Sequence, residues 1–181
     1  MTESPFETSI LSKLGFDSNQ YIDLTKGDDK MSNTLQTFLA TATAKAMEDL
    51  IKVHLQLPED KRDWSPMGKA RTSLNMLAEC AVMNEVTIAM IKSRAFPADF
   101  DMPAYEKAIS DLCSDWSKLE ATLRKNTESA IAAIHTVPDS DLPLEIPMPW
   151  GVYTLAQVLA YPYWNMSYHE GQITYLATML N

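Results

Sequence analysis

Apolar residues recur every three to four positions through long segments of this chain, and that periodicity leaves little choice of fold. Leu35, Phe38, Leu39, Ala42, Ala46, Leu50, Val53 and Leu57 mark the first segment. Leu74, Leu77, Ala78, Ala81, Val82, Val86 and Ala89 mark the second, and Tyr105, Ile109, Leu112, Trp116, Leu119, Leu123, Ala130 and Ile134 the third. A fourth begins at Thr154. Positions three and four apart share one face of an α-helix. Glycine, which weakens helices, occurs 5 times in 181 residues. Four amphipathic helices bury their stripes against one another, so the expected fold is an all-α, up-down four-helix bundle.

Local signals place the ends of these helices. Asn33 with Gln36, and Thr154 with Gln157, have the spacing of capping boxes. Pro58 stops the first helix after Leu57. The second is expected over 72–92 and the third, opened by Pro103, over 103–136. Residues 137–151 hold Pro138, Pro143, Pro147 and Pro149, and are expected to be extended, with a short hairpin. The fourth helix runs to about Leu180, and Pro162 inside it predicts a kink. Ahead of the bundle, Ser4, Pro5 and Glu7 open a short extra N-terminal helix with Phe6, Ile10, Leu11 and Leu14 on one face, ended by Gly15. The chain thus divides into an extension over 1–32 and a bundle over 33–181.

Charge and composition exclude several functions. A net charge of −9 repels phosphate backbones, so no nucleic-acid partner is expected. No continuous apolar run reaches the roughly 20 residues of a bilayer span. The first residues lack a basic n-region and an apolar h-region, so they do not read as a secretory signal. The two cysteines, Cys80 and Cys113, form no C-x-x-C pair, which fits a cytoplasmic location.

The candidate chemistry lies on the fourth helix. His169 is one of three histidines in the chain. Asn165, four residues before it, and Gln172, three after, share its face and make a polar row beside Met166, Ile173 and Leu176. On the second helix Glu79 has Met76, Val82 and Met83 as helical neighbours, which places it near the buried side. Buried polar groups are costly unless bonded. Either Glu79 and His169 ligate a divalent metal with help from Asn165, or the three residues hydrogen-bond one another. His54 and His135 lie near helix C-termini, where a cation complements the dipole. Cys80 falls with Ser73, Asn84 and Thr87 on what reads as the polar side of its helix, which makes it a poor candidate for a metal ligand, and Cys113 reads as a small core residue. Trp64, Trp116, Trp150 and Trp164 read as packing residues, and periodicity does not show which of Tyr161, Tyr163 and Tyr168 points inward.

The segment "HLQLPEDKRDWSP", then "ARTSLNMLAEC", then "WGVYT" and the ending His169-Glu170-Gly171-Gln172-Ile173 together resemble the DinB/YfiT-like four-helix proteins over about Asn33 to Leu180. The resemblance implies a bundle with a nickel or zinc site made by three histidines, one on the second helix and an H-x-x-x-H pair on the fourth. It further implies a thiol-dependent transferase or isomerase or a metal-dependent hydrolase, a small-molecule ligand, and a homodimer. Here His169 matches the second histidine of the pair, Asn165 stands in place of the first, and Glu79 in place of the second-helix histidine. An amide weakens a transition-metal site, and a carboxylate favours harder ions such as manganese or magnesium. The reading is therefore a DinB-like protein of unassigned reaction with a degenerate or weak site at Glu79, Asn165 and His169. The alternatives are an active hydrolase or thiol S-transferase, or a non-catalytic binding or interaction protein.

Overall fold

A computed structural model describes residues 34–180. The expected N-terminal helix, its linker and the boundary at residue 32 lie outside the described residues. Five α-helices follow in order: α1 (Thr34–Gln56), α2 (Ser73–Ser93), α3 (Met102–Cys113), α4 (Trp116–His135) and α5 (Leu155–Met179). Between α4 and α5 stands a two-stranded hairpin of β1 (Glu145–Met148) and β2 (Gly151–Thr154). Glu145 pairs with Thr154 and Met148 with Gly151. Gly151, at φ +147°, takes a backbone conformation that side-chain-bearing residues avoid, and so closes the turn.

The helix ends follow from local chemistry. The Thr72 side chain accepts the Asn75 N–H and starts α2. Arg94, left-handed at φ 56°, ends it. Thr154 and Gln157 form the expected capping box at the head of α5, and that helix continues through Pro162. Gln36 donates its amide to Val137 O and Asp139 Oδ1, tying the start of α1 to the loop after α4, while Asn33, its expected capping partner, lies outside the described residues. The third helix is not continuous as the periodicity predicts. It breaks between Cys113 and Trp116, where Asp115 turns extended and its side chain accepts the Lys118 N–H at 3.1 Å. An Asp that caps must leave helical geometry, and the apolar stripe carries on across the break regardless.

Sequence neighbours are not all neighbours in space. α1 packs along α4 and α5, and α2 packs along the same two, while α1 and α2 touch only marginally. The first two helices therefore face each other across a diagonal. α2 is long and apolar enough to cross a membrane by length and composition. Glu79 and Glu85 interrupt it, so it is not a continuous apolar run. In the bundle, twelve residues of α2 between Ser73 and Ile91 are buried, Leu77, Ala78 and Ala81 completely.

The core has two apolar parts. One gathers Leu50, Leu77, Ala81, Leu119, Leu123, Met166 and Ile173, the other Leu39, Ile91, Ile134, Ile146, Leu155 and Leu159. Each fully buried leucine or isoleucine contributes about 1.5–3 kcal/mol. Between the two parts lies a waist of buried polar side chains: Thr43, Asn84, Thr87, Asn126 and Thr127. Asn84 donates to Thr127 Oγ1 at 3.0 Å, and Asn126 to Ala81 O at 2.9 Å. This corrects the reading of Ser73, Asn84 and Thr87 as a solvent-facing side of α2. All three are core residues: Asn84 and Ser73 find partners on other helices, Thr127 and His54, while Thr87 Oγ1 is buried without a hydrogen-bond partner among the described residues.

Candidate metal centre

α2 and α5 pack side by side, so residues one helical turn apart on α5 face adjacent residues of α2. Asn165 and His169 on α5 meet Glu79 and Cys80 on α2. His169 Nε2 lies 2.5 Å from Glu79 Oε2. On its other side His169 Nδ1 lies 2.7 Å from Gln172 Oε1. A carbonyl oxygen only accepts, so Nδ1 carries a proton and donates it to Gln172. The short Nε2 contact then needs a proton between nitrogen and oxygen, since two facing lone pairs would repel.

The Glu79 carboxylate is fully engaged. Oε2 takes His169 and, at 3.4 Å, Arg71 Nη1. Oε1 accepts from the Tyr105 hydroxyl and from Asn165 Nδ2, each at 3.3 Å. Burial pushes this carboxyl up, but the His169 hydrogen bond and charge, with Arg71 and Asn165, outweigh burial and hold it below its ordinary value. The Tyr105 and Tyr161 hydroxyls are pushed up by burial and then by the Glu79 charge, Tyr161 to about 12. Of the three tyrosines left open by periodicity, Tyr161 is the one turned towards the cluster, whereas Tyr163 and Tyr168 are exposed.

Cys80 corrects the sequence reading. Its side chain is 0% exposed, and Asn165 Nδ2 lies 3.6 Å from its sulfur. One donor atom each from Glu79, Cys80 and His169 falls within 4.8 Å of the others. Burial, then the Glu79 charge, raises the thiol well above its ordinary value. The three predicted residues Glu79, Asn165 and His169 are therefore brought together, with Cys80, Arg71 and Tyr105 added. The signal for Cys80 was its place beside Glu79, masked by its polar helical neighbours. Arg71 and Tyr105 come from a loop and from α3, and no pattern in α2 or α5 points to them.

The donor set fits a divalent ion. It offers a borderline imidazole, a hard carboxylate and a soft thiol, a combination suited to zinc. Two ligands of one tetrahedral zinc stand about 3.3 Å apart, so the His169–Glu79 pair must open to admit an ion between them. A groove of about 400 Å³ lined by Arg71, Asn75, Tyr105, Glu106 and Ile109 reaches Glu79 from outside.

His54 stands apart from this centre and also departs from its expected role. It is 0% exposed, bonds Ser73 Oγ through Nδ1 at 2.8 Å, and stacks on Trp116 with ring centroids 4.3 Å apart. Burial, with a smaller push from the Arg62 charge, lowers its pKa from the ordinary 6.5 to about 4. It is a neutral core residue rather than a cation at a helix end. His135 does sit exposed in the last turn of α4.

No family profile matches the sequence, and no curated protein is similar to it by sequence. The shape finds relatives. YfiT from Bacillus subtilis, described as a probable metal-dependent hydrolase with an unusual four-helix bundle topology, superposes with a TM-score of 0.69 at 15% identity, over 86% of this chain and 93% of that one. The fold is the YfiT-like four-helix bundle. The mycothiol-dependent maleylpyruvate isomerase shares this YfiT-like fold, with a TM-score of 0.64 at 9% identity, over 76% of this chain and 60% of the isomerase. The colibactin self-resistance protein ClbS, seen in complex with double-stranded DNA, has a TM-score of 0.59 at 14% identity, over 83% of this chain and 98% of its own length.

Proposed function

We propose that Glu79, Cys80 and His169 hold a divalent cation, with zinc the best-matched ion, and that the chain acts on or binds a small molecule at that centre. The observation that carries the reading is the arrival of a third donor. Cys80 replaces what the amide of Asn165 cannot supply, and imidazole, carboxylate and sulfur converge from two adjacent helices. The description of YfiT as a probable metal-dependent hydrolase supports the same reading.

When bound, such an ion supplies Lewis acidity, or lowers the pKa of a water or thiol. The residues of the chain supply the rest. Gln172 fixes the tautomer and tilt of His169 by accepting a hydrogen bond from its Nδ1–H, the usual task of a partner behind a metal-bound histidine. Asn165 holds Glu79 and Cys80 in register. Tyr105 and Arg71 stand where Glu79 meets the outer groove and can donate to a negatively charged group there. The reaction class stays between hydrolysis and thiol transfer. ClbS shares the fold beside DNA, but a net charge of −9 favours a small molecule over nucleic acid here.

The competing reading is a closed network without metal, which the 2.5 Å His169–Glu79 contact favours. Elemental analysis of untagged protein, dialysed against micromolar zinc, separates the two. Near-stoichiometric zinc that is lost in His169→Ala and in Cys80→Ser supports the metal centre. Folded protein that retains no divalent ion removes it.

A further inference from the structure

A second concavity adjoins the centre from the side of α5. It is a cleft of about 660 Å³ between residues 66–71 and the last turns of that helix, within the roughly 300–1,000 Å³ range of small-molecule sites. Met67, Tyr168 and Tyr175 give it an apolar, aromatic wall and are more than half exposed. Lys69 and Arg71 line it, and no acidic residue does so among the described residues. That is a cationic patch in a chain of net charge −9.

Three details tie the cleft to the centre. Gln172, which lines the cleft, is the residue that holds His169. Arg71 lines both the cleft and the groove onto Glu79, so the guanidinium is the wall between them. Asn75 holds its Nε and Nη2, at 2.6 and 3.1 Å; the contact of Nη1 with Glu79 is long, at 3.4 Å, and the side chain is 37% exposed, so the outer edge of the guanidinium is open to a second carboxylate without a turn of the side chain. The third detail is Gly171. Glycine inside a helix is destabilising relative to alanine, yet beyond its chain neighbours and its own helix backbone no described atom lies within 4 Å of where its Cβ would stand. No packing within the described chain requires a glycine there, and its lack of a side chain keeps the floor of the cleft open.

The geometry points to a cleft for a small organic carboxylate with an aromatic body, its charge held by Arg71 with Lys69 and its ring laid against Tyr168 and Tyr175. A planar guanidinium pairs with a carboxylate through two parallel hydrogen bonds, which supplies orientation as well as attraction. This deepens the metal reading by naming what the centre would meet, but it is tested on metal-free protein, so the two can fail separately.

The test is isothermal titration of the chelator-treated full chain with 2-naphthoate, with neutral 2-naphthalenemethanol and with cationic 2-naphthylmethylammonium. The expected result is at least tenfold tighter binding of the naphthoate than of either counterpart. Arg71→Gln should abolish most of that preference, and Gly171→Leu, whose new side chain enters open space, should weaken the naphthoate at least tenfold with the fold intact. Absence of binding, equal affinity for the three probes, or a preference that survives both substitutions overturns the proposal. Sedimentation velocity on the same samples covers the other occupant: a dimer that Gly171→Leu dissociates, with no naphthoate bound, assigns the cleft to a second copy of the chain and also overturns it. Zinc bound without naphthoate breaks this inference alone; naphthoate bound without zinc breaks the metal centre alone.

Discussion

His54 and His169 are both buried in the same bundle, and they differ in what faces them. His54 has a hydroxyl on one nitrogen, an indole against its ring, and no partner on Nε2 among the described residues. Nothing near it rewards a positive charge, so burial keeps it neutral. His169 has an amide oxygen on one nitrogen and a carboxylate on the other. Depth is similar; the carboxylate makes the second site one where a proton or a metal ion has a place to sit. Burial by itself says little about function, whereas burial opposite an acidic group is informative.

The sharpest way to break the comparison is to remove that carboxylate. Glu79→Ala leaves the Tyr105 hydroxyl, the Asn165 amide and His169 without their acceptor. Urea unfolding of metal-free protein should show a loss of about 3–5 kcal/mol, the usual cost of halving a buried ionic pair. If it costs no more than His54→Asn at pH 7, the two histidines are equivalent and the distinction fails.

The next effect concerns His54 and pH. Its folded pKa lies below its unfolded one, so between about pH 6.5 and pH 4 the unfolded chain binds a proton that the folded chain refuses. Stability should therefore fall as pH falls through that window, by up to about 3 kcal/mol from this residue. Asparagine can keep the hydrogen bond to Ser73 and does not titrate. Urea midpoints at pH 4.5 and 7 should differ less in His54→Asn than in the parent, and an unchanged difference would show that His54 charges freely inside.

The smallest effect separates the sites by their outer partners. Gln172→Leu should weaken zinc binding roughly 10–100-fold by freeing the His169 ring, while His54→Asn should leave zinc affinity unchanged. Competition with a colorimetric chelator reads both, and equal affinities in the two variants would remove Gln172 from its positioning role.

The helices and the meeting of Glu79, Asn165 and His169 were legible in the sequence, because periodicity reports which residues share a face. The Thr154–Gln157 cap was legible for the same local reason. What was hidden depended on distant residues. Cys80 looked exposed because Ser73, Asn84 and Thr87 surround it on its helix, and only Thr127 and His54, from other helices, make that polar face a core. His54 looked like a cation at a helix end because Trp116, which covers it, lies 62 positions away in the chain. The break at Asp115 was hidden because an N-cap interrupts the backbone without interrupting the apolar stripe.

The diagonal placement of α1 and α2 has a consequence for how the molecule is made. Neither of the first two helices can close a core with the other; each waits for α4 and α5. Glu79 and His169 are separated by 90 residues, and contacts of such long sequence separation form slowly because a large loop must be closed first. A nascent chain that has emerged only as far as the hairpin carries Glu79 and Cys80 on an apolar helix with one side still open. Synthesis of α5 completes the core and the centre together, so the chain cannot assemble the one before the other.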